Sequence, residues 1–495
     1  MHFRLQLIAV AADGTEHLEE IATLPRAATT PETLGLTLEE SKHLLQQVQR
    51  TMIVAQVTTY LAEQRACPHC GKKRHLKQQA TAPFRTLFGR VEVDNPRWQH
   101  CACQPQPDHT FRPLAALLPE RSSPELLYVE TKWAAQASYG VTAQLLREVL
   151  PIDHRHSAAT VHNHTLRLAR RSEHALGAEQ AMFGGGCQAE RDRLPIPDGP
   201  LTVGLDGGIV RARRGTPGVP PGNLFEIIAG KSILAFRRDD PEDAPPSSKV
   251  FALVHSVDKK PKRRLWELLE SQGMQANQAV TFFSDGGATL RKLTEYLHPE
   301  AEHILDWFHI TMRITVLQQC AHGLTRPTST SDLDPTEDES LARRLDSVKH
   351  YLWHGNSPSA LDRLRAVEEV LTNWDYAADG TPTTQPGSAA ALRMLKYVRE
   401  LATYITNNAG SIVNYGERYR QGDRISTGFV ESTINQVISK RMVKKQQMQW
   451  TPEGAHLLLQ VRTQVLNDDW ENTFRTWYPN FRPGPAQDTP EPLAA

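Results

Sequence analysis

The sequence lacks any long hydrophobic run. No window approaches the ~18 consecutive apolar residues that a membrane-spanning helix requires, which excludes a helix crossing a bilayer. It also lacks net charge: Lys and Arg number 56, Asp and Glu number 56, over 495 residues. The neutral total argues against a polyanionic partner only if the charges are evenly spread, and a zero sum does not say where they sit. A secretory signal is not expected, because the run Leu5 to Ala12 is interrupted by Gln6 and followed by Asp13 and Glu16 without a small-residue cleavage site. Cysteine is scarce, six in the chain, and four of these crowd between Cys67 and Cys103. That clustering fits metal ligands in a reducing compartment better than a disulfide framework, so the expected location is cytoplasmic. What is present is globular in composition, 39% hydrophobic and 23% charged with a mean hydropathy of −0.46. At ~150 residues per domain the length suggests about three domains.

Residues 1–66 read as a hairpin and a long helix. Phe3, Leu5 and Leu7 alternate with polar positions ahead of an Asp13-Gly14 turn. Thr37-Leu38-Glu39-Glu40 is a capping box opening a helix to about Gln64, with Leu44, Leu45, Val48, Met52, Val54 and Val57 as its apolar stripe, for packing or dimerisation. Residues 67–104 follow, with Cys67-Pro68-His69-Cys70-Gly71 and Cys101-Ala102-Cys103. Two thiolate pairs can supply the tetrahedral four-sulfur shell that zinc favours; His69 or His100 could replace a sulfur, and a redox dithiol is the alternative. Phe84 to Phe88 and Val91 to Trp98 flank Gly89 as a hairpin, giving a zinc ribbon around one structural Zn²⁺.

Residues 120–175 read as three helices. Ser123-Pro124-Glu125 opens the first, Val141 to Val149 is a short second after a Tyr139-Gly140 break, and Ser157 to Arg171 is a longer third. This spacing suits a helix-turn-helix module. Between Arg155 and Arg171 lie Arg167, Arg170, His156, His162, Asn163 and His164 and no acid, as a recognition helix in a DNA groove requires; an ordinary solvated basic helix is the alternative.

After Pro200 the pattern changes to strands: Leu201 to Asp206-Gly207-Gly208, Leu224 to Ile228, Val250 to His255, a helix at Pro261 to Ser271, Ala279 to Asp285-Gly286-Gly287, a helix at 288–297, then His303 to Asp306. Three strands, helix, strand, helix, strand is the element order of the ribonuclease-H-like fold, with acids ending its first and fourth strands, which lie side by side. Two close carboxylates repel unless a cation neutralises them, and hard oxygen ligands select Mg²⁺ or Mn²⁺. Glu431 is the best-placed third acid, in the early turns of a helix capped by Ser426 or Thr427 and running to about Met442, with Asn435 one turn along on the same face. Two metals ~3.5–4 Å apart on such acids serve in-line phosphodiester displacement.

Leu205-Asp206-Gly207-Gly208, Ser284-Asp285-Gly286-Gly287, Asp306-Trp307-Phe308-His309, Gly428-Phe429-Val430-Glu431-Ser432 and Met448-Gln449-Trp450-Thr451 resemble the DDE transposases of bacterial insertion sequences. The similarity is to the ISKra-type group and, more distantly, to ISL-type and Mutator-like enzymes, and the paired cysteines ahead of a helix-turn-helix match that layout. The resemblance covers roughly residues 1–478. It implies Asp206, Asp285 and Glu431 as the catalytic triad, holding two Mg²⁺ (or Mn²⁺) per active site, and cleavage at terminal inverted repeats followed by joining to target DNA. It also implies a homo-oligomer on DNA in the nucleoid. Where the Mutator-like pattern has Cys-x-x-His, this chain has Asp306-x-x-His309. Asp306 therefore competes with Asp285 as second acid, or, with His309 and Asn435, supports the metal ligands from behind or caps a helix.

The expected organisation is α/β and multidomain: a catalytic core at 196–312 and 424–470, split by a helical insertion at 313–423, with a disordered tail at 479–495. Within the insertion, residues 327–342 form an acidic segment, and Trp353 stacks on a flipped base or lies in the core. Basic residues recur at 259–264 and at Lys440, Arg441, Lys444 and Lys445, where they could neutralise double-stranded DNA. A catalytically silent DNA-binding regulator derived from a transposase, or a ribonuclease-H-like nuclease, are the competing readings.

Overall fold

The computed structural model describes residues 1–484 apart from 12, 28, 104–108, 180–188, 190–192, 198, 218–222, 236–246, 288–300, 325–339, 373–387 and 444–448. The helix expected at 288–297, most of the acidic segment, Lys444, Lys445 and tail residues 485–495 lie outside the described residues. The chain is mixed α/β and forms two compact units, one of residues 1–171 with the segment from Asp468 on, the other of Ser172–Asn467. No helix among the described residues is long and apolar enough to cross a membrane.

In the first unit, β1 (His2–Val10) and β2 (Glu16–Pro25) form the N-terminal hairpin. Helix α1 (Leu38–Gln64) starts at the expected capping box: Thr37 Oγ accepts from Glu40 N, and the Glu40 carboxylate accepts from Thr37 N. Its buried stripe differs from expectation, being Ile53, Val57 and Leu61, while Leu45, Met52 and Val54 are exposed. The reason is tertiary, since only the C-terminal half of α1 meets Val91, Val93 and Trp98. Those residues lie on a small β module in which β3 (Leu76–Gln78), β6 (Arg97–Gln99) and β7 (Thr110–Phe111) form one sheet, and β4 (Thr81–Thr86) and β5 (Gly89–Asp94) form the hairpin around Gly89. Three helices follow, α2 (Pro124–Ala134), α3 (Tyr139–Val149) and α4 (Ala158–Ala175). Tyr139-Gly140 is not a break. Ser138 Oγ accepts from Val141 N and caps α3, drawing both residues into its first turn.

The second unit is built on a five-stranded sheet. Its strands are β8 (Leu201–Arg211), β9 (Leu224–Leu234), β10 (Ser248–Leu253), β11 (Val280–Ser284) and β12 (Glu302–Leu305), in the order β10-β9-β8-β11-β12. The first three are antiparallel, while β11 runs parallel to both β8 and β12. Leu201, Val203 and Leu205 are buried with Phe282, against Leu265 and Leu269 of α5 (Pro261–Glu270), which explains why β8 reads as a continuous apolar run. Helices α6 (Trp307–His322), α7 (Leu341–Trp353), α8 (Ser357–Thr372), α9 (Ser388–Asn407) and α10 (Tyr415–Arg420) share one core with Phe283, Ile304 and Leu305 at the other side of the sheet. Trp353 belongs to this core, 5.1 Å from the Trp307 ring.

The chain then re-enters the sheet region through α11 (Gly428–Ile434), which continues as a π-helix over Asn435–Val443, and through α12 (Pro452–Leu466) against β10. The last helix, α13 (Trp470–Trp477), was not foreseen; it packs on α2 in the first unit. The expected tail does not begin at 479, because Phe481 is buried against Tyr128 and Phe474.

The approach of α11 to the sheet depends on glycine. A Cβ on Gly204 would lie 2.2 Å from Val430 Cγ2 and 2.8 Å from the Phe429 ring, and one on Gly208 would lie 2.7 Å from Ile438 Cδ1. Gly204→Ala is therefore expected to destabilise the chain by about 1–3 kcal/mol. Adding Val430→Ala should return part of that loss in urea unfolding; a cost indifferent to the residue at 430 would refute the close-approach account.

Candidate active site and metal centre

The register of the parallel strands brings three acids to one edge. Phe283 pairs with Gly204, so Asp285 and Asp206, each two residues further on, stand level. Ser284 pairs with Leu305, which puts Asp306 level with Asp285. The carboxyl ends of parallel strands are where open α/β sheets bind ligands. One expectation needs correction: Asp206 does not end its strand. β8 runs on to Arg211, because β9 remains paired with it after the parallel pairing to β11 has stopped.

Burial pushes the Asp206 carboxyl above the ordinary carboxylate range; the Gly207 N–H, at 2.7 Å, and His309 pull it down, and the charges of Asp285 and Asp306 push it up further. These groups thus share one electrostatic neighbourhood. Asp285 sits in a turn held from several sides. Its Oδ1 accepts from Gly287 N at 3.0 Å, and its carbonyl accepts from the Tyr404 hydroxyl at 2.9 Å. Gly286 has φ +84°, and a Cβ there would lie 2.6 Å from Asn408 Oδ1. Behind the turn, His303 bridges Ser284 and Ser411, each Oγ 2.8 Å from a ring nitrogen, while Ser284 Oγ accepts from Gly286 N. This bridge was not read from the sequence; the three residues are scattered along it and only the fold joins them.

Asp306 is fully buried. It caps α6 by accepting from Phe308 N at 2.8 Å, and it also accepts from Thr427 N at 3.2 Å and from the Thr427 hydroxyl. Burial holds its carboxyl above the usual range, against these hydrogen bonds and His309, whose Nε2 is 3.6 Å away. Thr427 takes the N-cap position of α11 as expected, but its hydroxyl is turned to Asp306 instead of capping the helix.

Glu431 is exposed in the first turns of α11. In β8, residues 204, 206 and 208 line one face, so Asp206 points to the side on which Val430 meets Gly204, and Ile434 and Ile438 meet Gly208. Glu431 precedes Ile434 by three residues, within one turn of the α-helix. Beyond it Asn435, half-buried, opens the π-helix, whose carbonyls at 436 and 437 accept from the buried Arg462 guanidinium. π-Helical turns are rare and concentrate at functional sites. Among the described residues, Asp206, Asp285, Asp306 and Glu431 form no group with ligand atoms all within 4.8 Å.

Such a group does form from Cys67, Cys70, Cys101 and Cys103. The Cys67–Cys103, Cys70–Cys101 and Cys70–Cys103 sulfur separations are 3.5, 3.4 and 3.4 Å. These are too long for disulfides and suit four thiolates on one tetrahedral ion with metal–sulfur bonds of about 2.3 Å. The N–H groups of Cys70 and His69 point at Cys67 and hold its thiol down to about 6, and the Cys103 N–H lowers that of Cys101. His69 and His100 are not in the group.

A second group, Glu173, Asp258 and His456, already encloses a cation. Arg264 donates to Asp258 at 2.8 and 3.2 Å, to Glu173 at 2.9 Å and to Gln460 at 2.6 Å. It is an ion-pair network, and it takes Arg264 out of the basic run at 259–264. Arg263 is likewise paired with Glu267, and Lys260 Nζ donates to Leu176 O.

The other basic residues divide. Arg155, Arg170 and Lys440 are exposed. Arg167 and Arg171 pair with Glu120 at 3.0 and 3.6 Å, and Arg171 also lies 4.4 Å over the Trp477 ring. His156 and His164 flank the buried Glu130. The run from 155 to 171, acid-free in sequence, is thus supplied with acids from elsewhere in the fold. Arg441, read as a phosphate ligand, is 1% exposed and lies 5.3 Å over the Trp450 ring, so it supports the π-helix and offers no charge at the surface.

Comparison with known protein families and with curated proteins returns no match for this chain.

Three outcomes are expected. Metal analysis of the purified chain should give about one zinc, lost on Cys67→Ser with Cys70→Ser; a folded β module without metal would refute the assignment. Against the burial that raises it, His456 and Arg264 hold the Glu173 carboxyl down to about 2 from an ordinary 4.5. Its contribution to stability is therefore complete above about pH 4.5 and is lost as pH falls toward 2. Glu173→Gln should flatten acid unfolding across that window, and Arg264→Gln, which leaves Asp258 and Glu173 without their cation, should cost about 3–5 kcal/mol at neutral pH.

Proposed function

We propose that this chain is a DNA transposase of the DDE type, with the five-stranded sheet as a ribonuclease-H-like catalytic core split by the helical segment between α6 and α11. The observation that carries the reading is the level register of Asp206 and Asp285 at neighbouring parallel strands, with the helix bearing Glu431 seated over Gly204 and Gly208 on the face to which Asp206 points. The strand order, with three antiparallel strands and two parallel ones beyond the first, supports the same reading.

The donor set suits a divalent cation. Asp206 is raised in part by the like charges of Asp285 and Asp306, a repulsion that hard cations such as Mg²⁺ or Mn²⁺ relieve. Two such ions held by Asp206, Asp285 and Glu431 would supply activation of the attacking water or 3′-hydroxyl and stabilisation of the leaving oxygen. The chain itself does the positioning. Asp306 fixes the start of α11, His303 and Tyr404 hold the Asp285 turn, and the glycines of β8 set the distance between helix and sheet. Asp306 acts through Thr427 and stands behind the site. In the other unit, a zinc held by the four cysteines would shape the β module beside a helix-turn-helix, and exposed Arg155 and Arg170, with Lys440 near the core, are the cations for double-stranded DNA.

The test uses the full chain, Mg²⁺ and labelled duplexes ending in the inverted repeats that flank the reading frame. Wild type should cut and join; Asp285→Asn and Glu431→Gln should abolish both, while Asp306→Asn should lose about 10–100-fold. Cutting without joining would favour a nuclease, and binding alone a regulator. Equal activity of wild type and Asp285→Asn would end the catalytic assignment.

A further inference from the structure

Arg85 and Arg90 are direct cross-strand partners on the β4–β5 hairpin. Like charges placed opposite one another destabilise a hairpin unless something between them compensates. Both arginines line one narrow cleft, and Arg155, just before α4, lines it too, with Asp153 and Thr160. Arg90 pairs with Glu92 at 2.5 Å and lies 3.7 Å from Asp153, on which the charge of Arg155 also acts. The Arg90 Nε is nevertheless buried without an acceptor. The Arg85 and Arg155 guanidinium groups have no hydrogen bond or ion pair among the described residues. Three cations against the two carboxylates of Glu92 and Asp153 leave the cleft positive.

Its volume is about 50 Å³. One water needs about 10–15 Å³ by such a measure, so the space admits a group of about four or five heavy atoms. Arginine forks match the oxygens of a tetrahedral anion, and the Thr160 hydroxyl in the first turn of α4, an 18-residue helix, adds a donor at the positive end of a helix dipole.

We infer that this cleft between the β4–β5 hairpin and the start of α4 is a phosphate-binding site, formed by Arg85, Arg90 and Arg155. The phosphate is either one group of a nucleic-acid backbone or a free inorganic anion. The first source deepens the DNA-binding reading given above and rests on it; the second does not.

The experiment has two arms, both on the full chain. In the first, inorganic phosphate is titrated while thermal unfolding is followed. Wild type should be stabilised, and Arg85→Gln and Arg155→Gln should each lose that response. Without phosphate and at low salt, Arg85→Gln should be at least as stable as wild type, because one of two facing charges is gone. Exposed Arg365→Gln, outside the cleft, should respond as wild type does. In the second arm, duplex binding is measured against salt. A backbone phosphate in the cleft predicts that Arg85→Gln and Arg155→Gln each reduce the log–log slope by about 1. A lost phosphate response with an unchanged duplex slope assigns the site to a free anion. Unchanged behaviour of both variants in both arms overturns the site, whereas failure of wild type to bind any duplex counts against the transposase reading and leaves the first arm decisive for the cleft.

Discussion

The buried carboxylate of Asp306 is the tie on which the second unit depends. An ionised carboxylate taken out of water costs several kcal/mol unless hydrogen bonds replace its hydration. Asp306 receives three, from the Phe308 backbone and from the backbone and hydroxyl of Thr427, which is 121 residues away. One group thereby ends a strand, starts a helix and anchors the return of the chain. The helices in between can form a core of their own without displacing α11, because both ends of that long excursion are pinned at the same atom pair. Without the tie, the glycine-dependent seating of α11 on β8 would have to be reached against the full closure entropy of the excursion.

Charge is organised on the same principle of local satisfaction. Arg264, Arg263, Arg167 and Arg171 are consumed by acids that the fold brings to them. Arg441 and Arg462 are spent inside, on an aromatic ring and on π-helical carbonyls. Exposed cations are fewer than the basic runs of the sequence suggest, and they sit at particular places. The zero total is thus the sum of internal pairs and a small surplus at chosen spots.

Much of this could be read from residues alone. The Thr37–Glu40 box, the Asp13-Gly14 turn, the Cys67–Cys70 pair and the strand-ending Ser284-Asp285-Gly286 are short-range signals whose physics is local, and each names its own structure. That the first and fourth strands of the sheet lie side by side also followed from the order of elements. What escaped was set by distant partners. The stripe of α1 turned because Ile53, Val57 and Leu61 are the positions that meet the core of Val91, Val93 and Trp98, Glu120 and Glu130 arrived beside α4 from other segments, and the basic run at 259–264 folded inward around Asp258. The π-helix has no local signature; its widened turn is stabilised by Arg462, which lies on another helix. The acids of the candidate site were legible because a strand register is additive, whereas their supports, His303, Ser411 and Tyr404, are joined only by the tertiary structure.

The position of the helical excursion has a consequence for biogenesis. Asp206, Asp285 and Asp306 leave the ribosome well before Gly428–Ile434, and the sheet edge they occupy can assemble while the segment bearing Glu431 is still being translated. A nascent or prematurely terminated chain would hold three acids and no opposing glutamate. Vectorial synthesis thus orders the candidate site: the segment bearing Glu431 joins the acids of the sheet only after the whole helical excursion between α6 and α11 has been made.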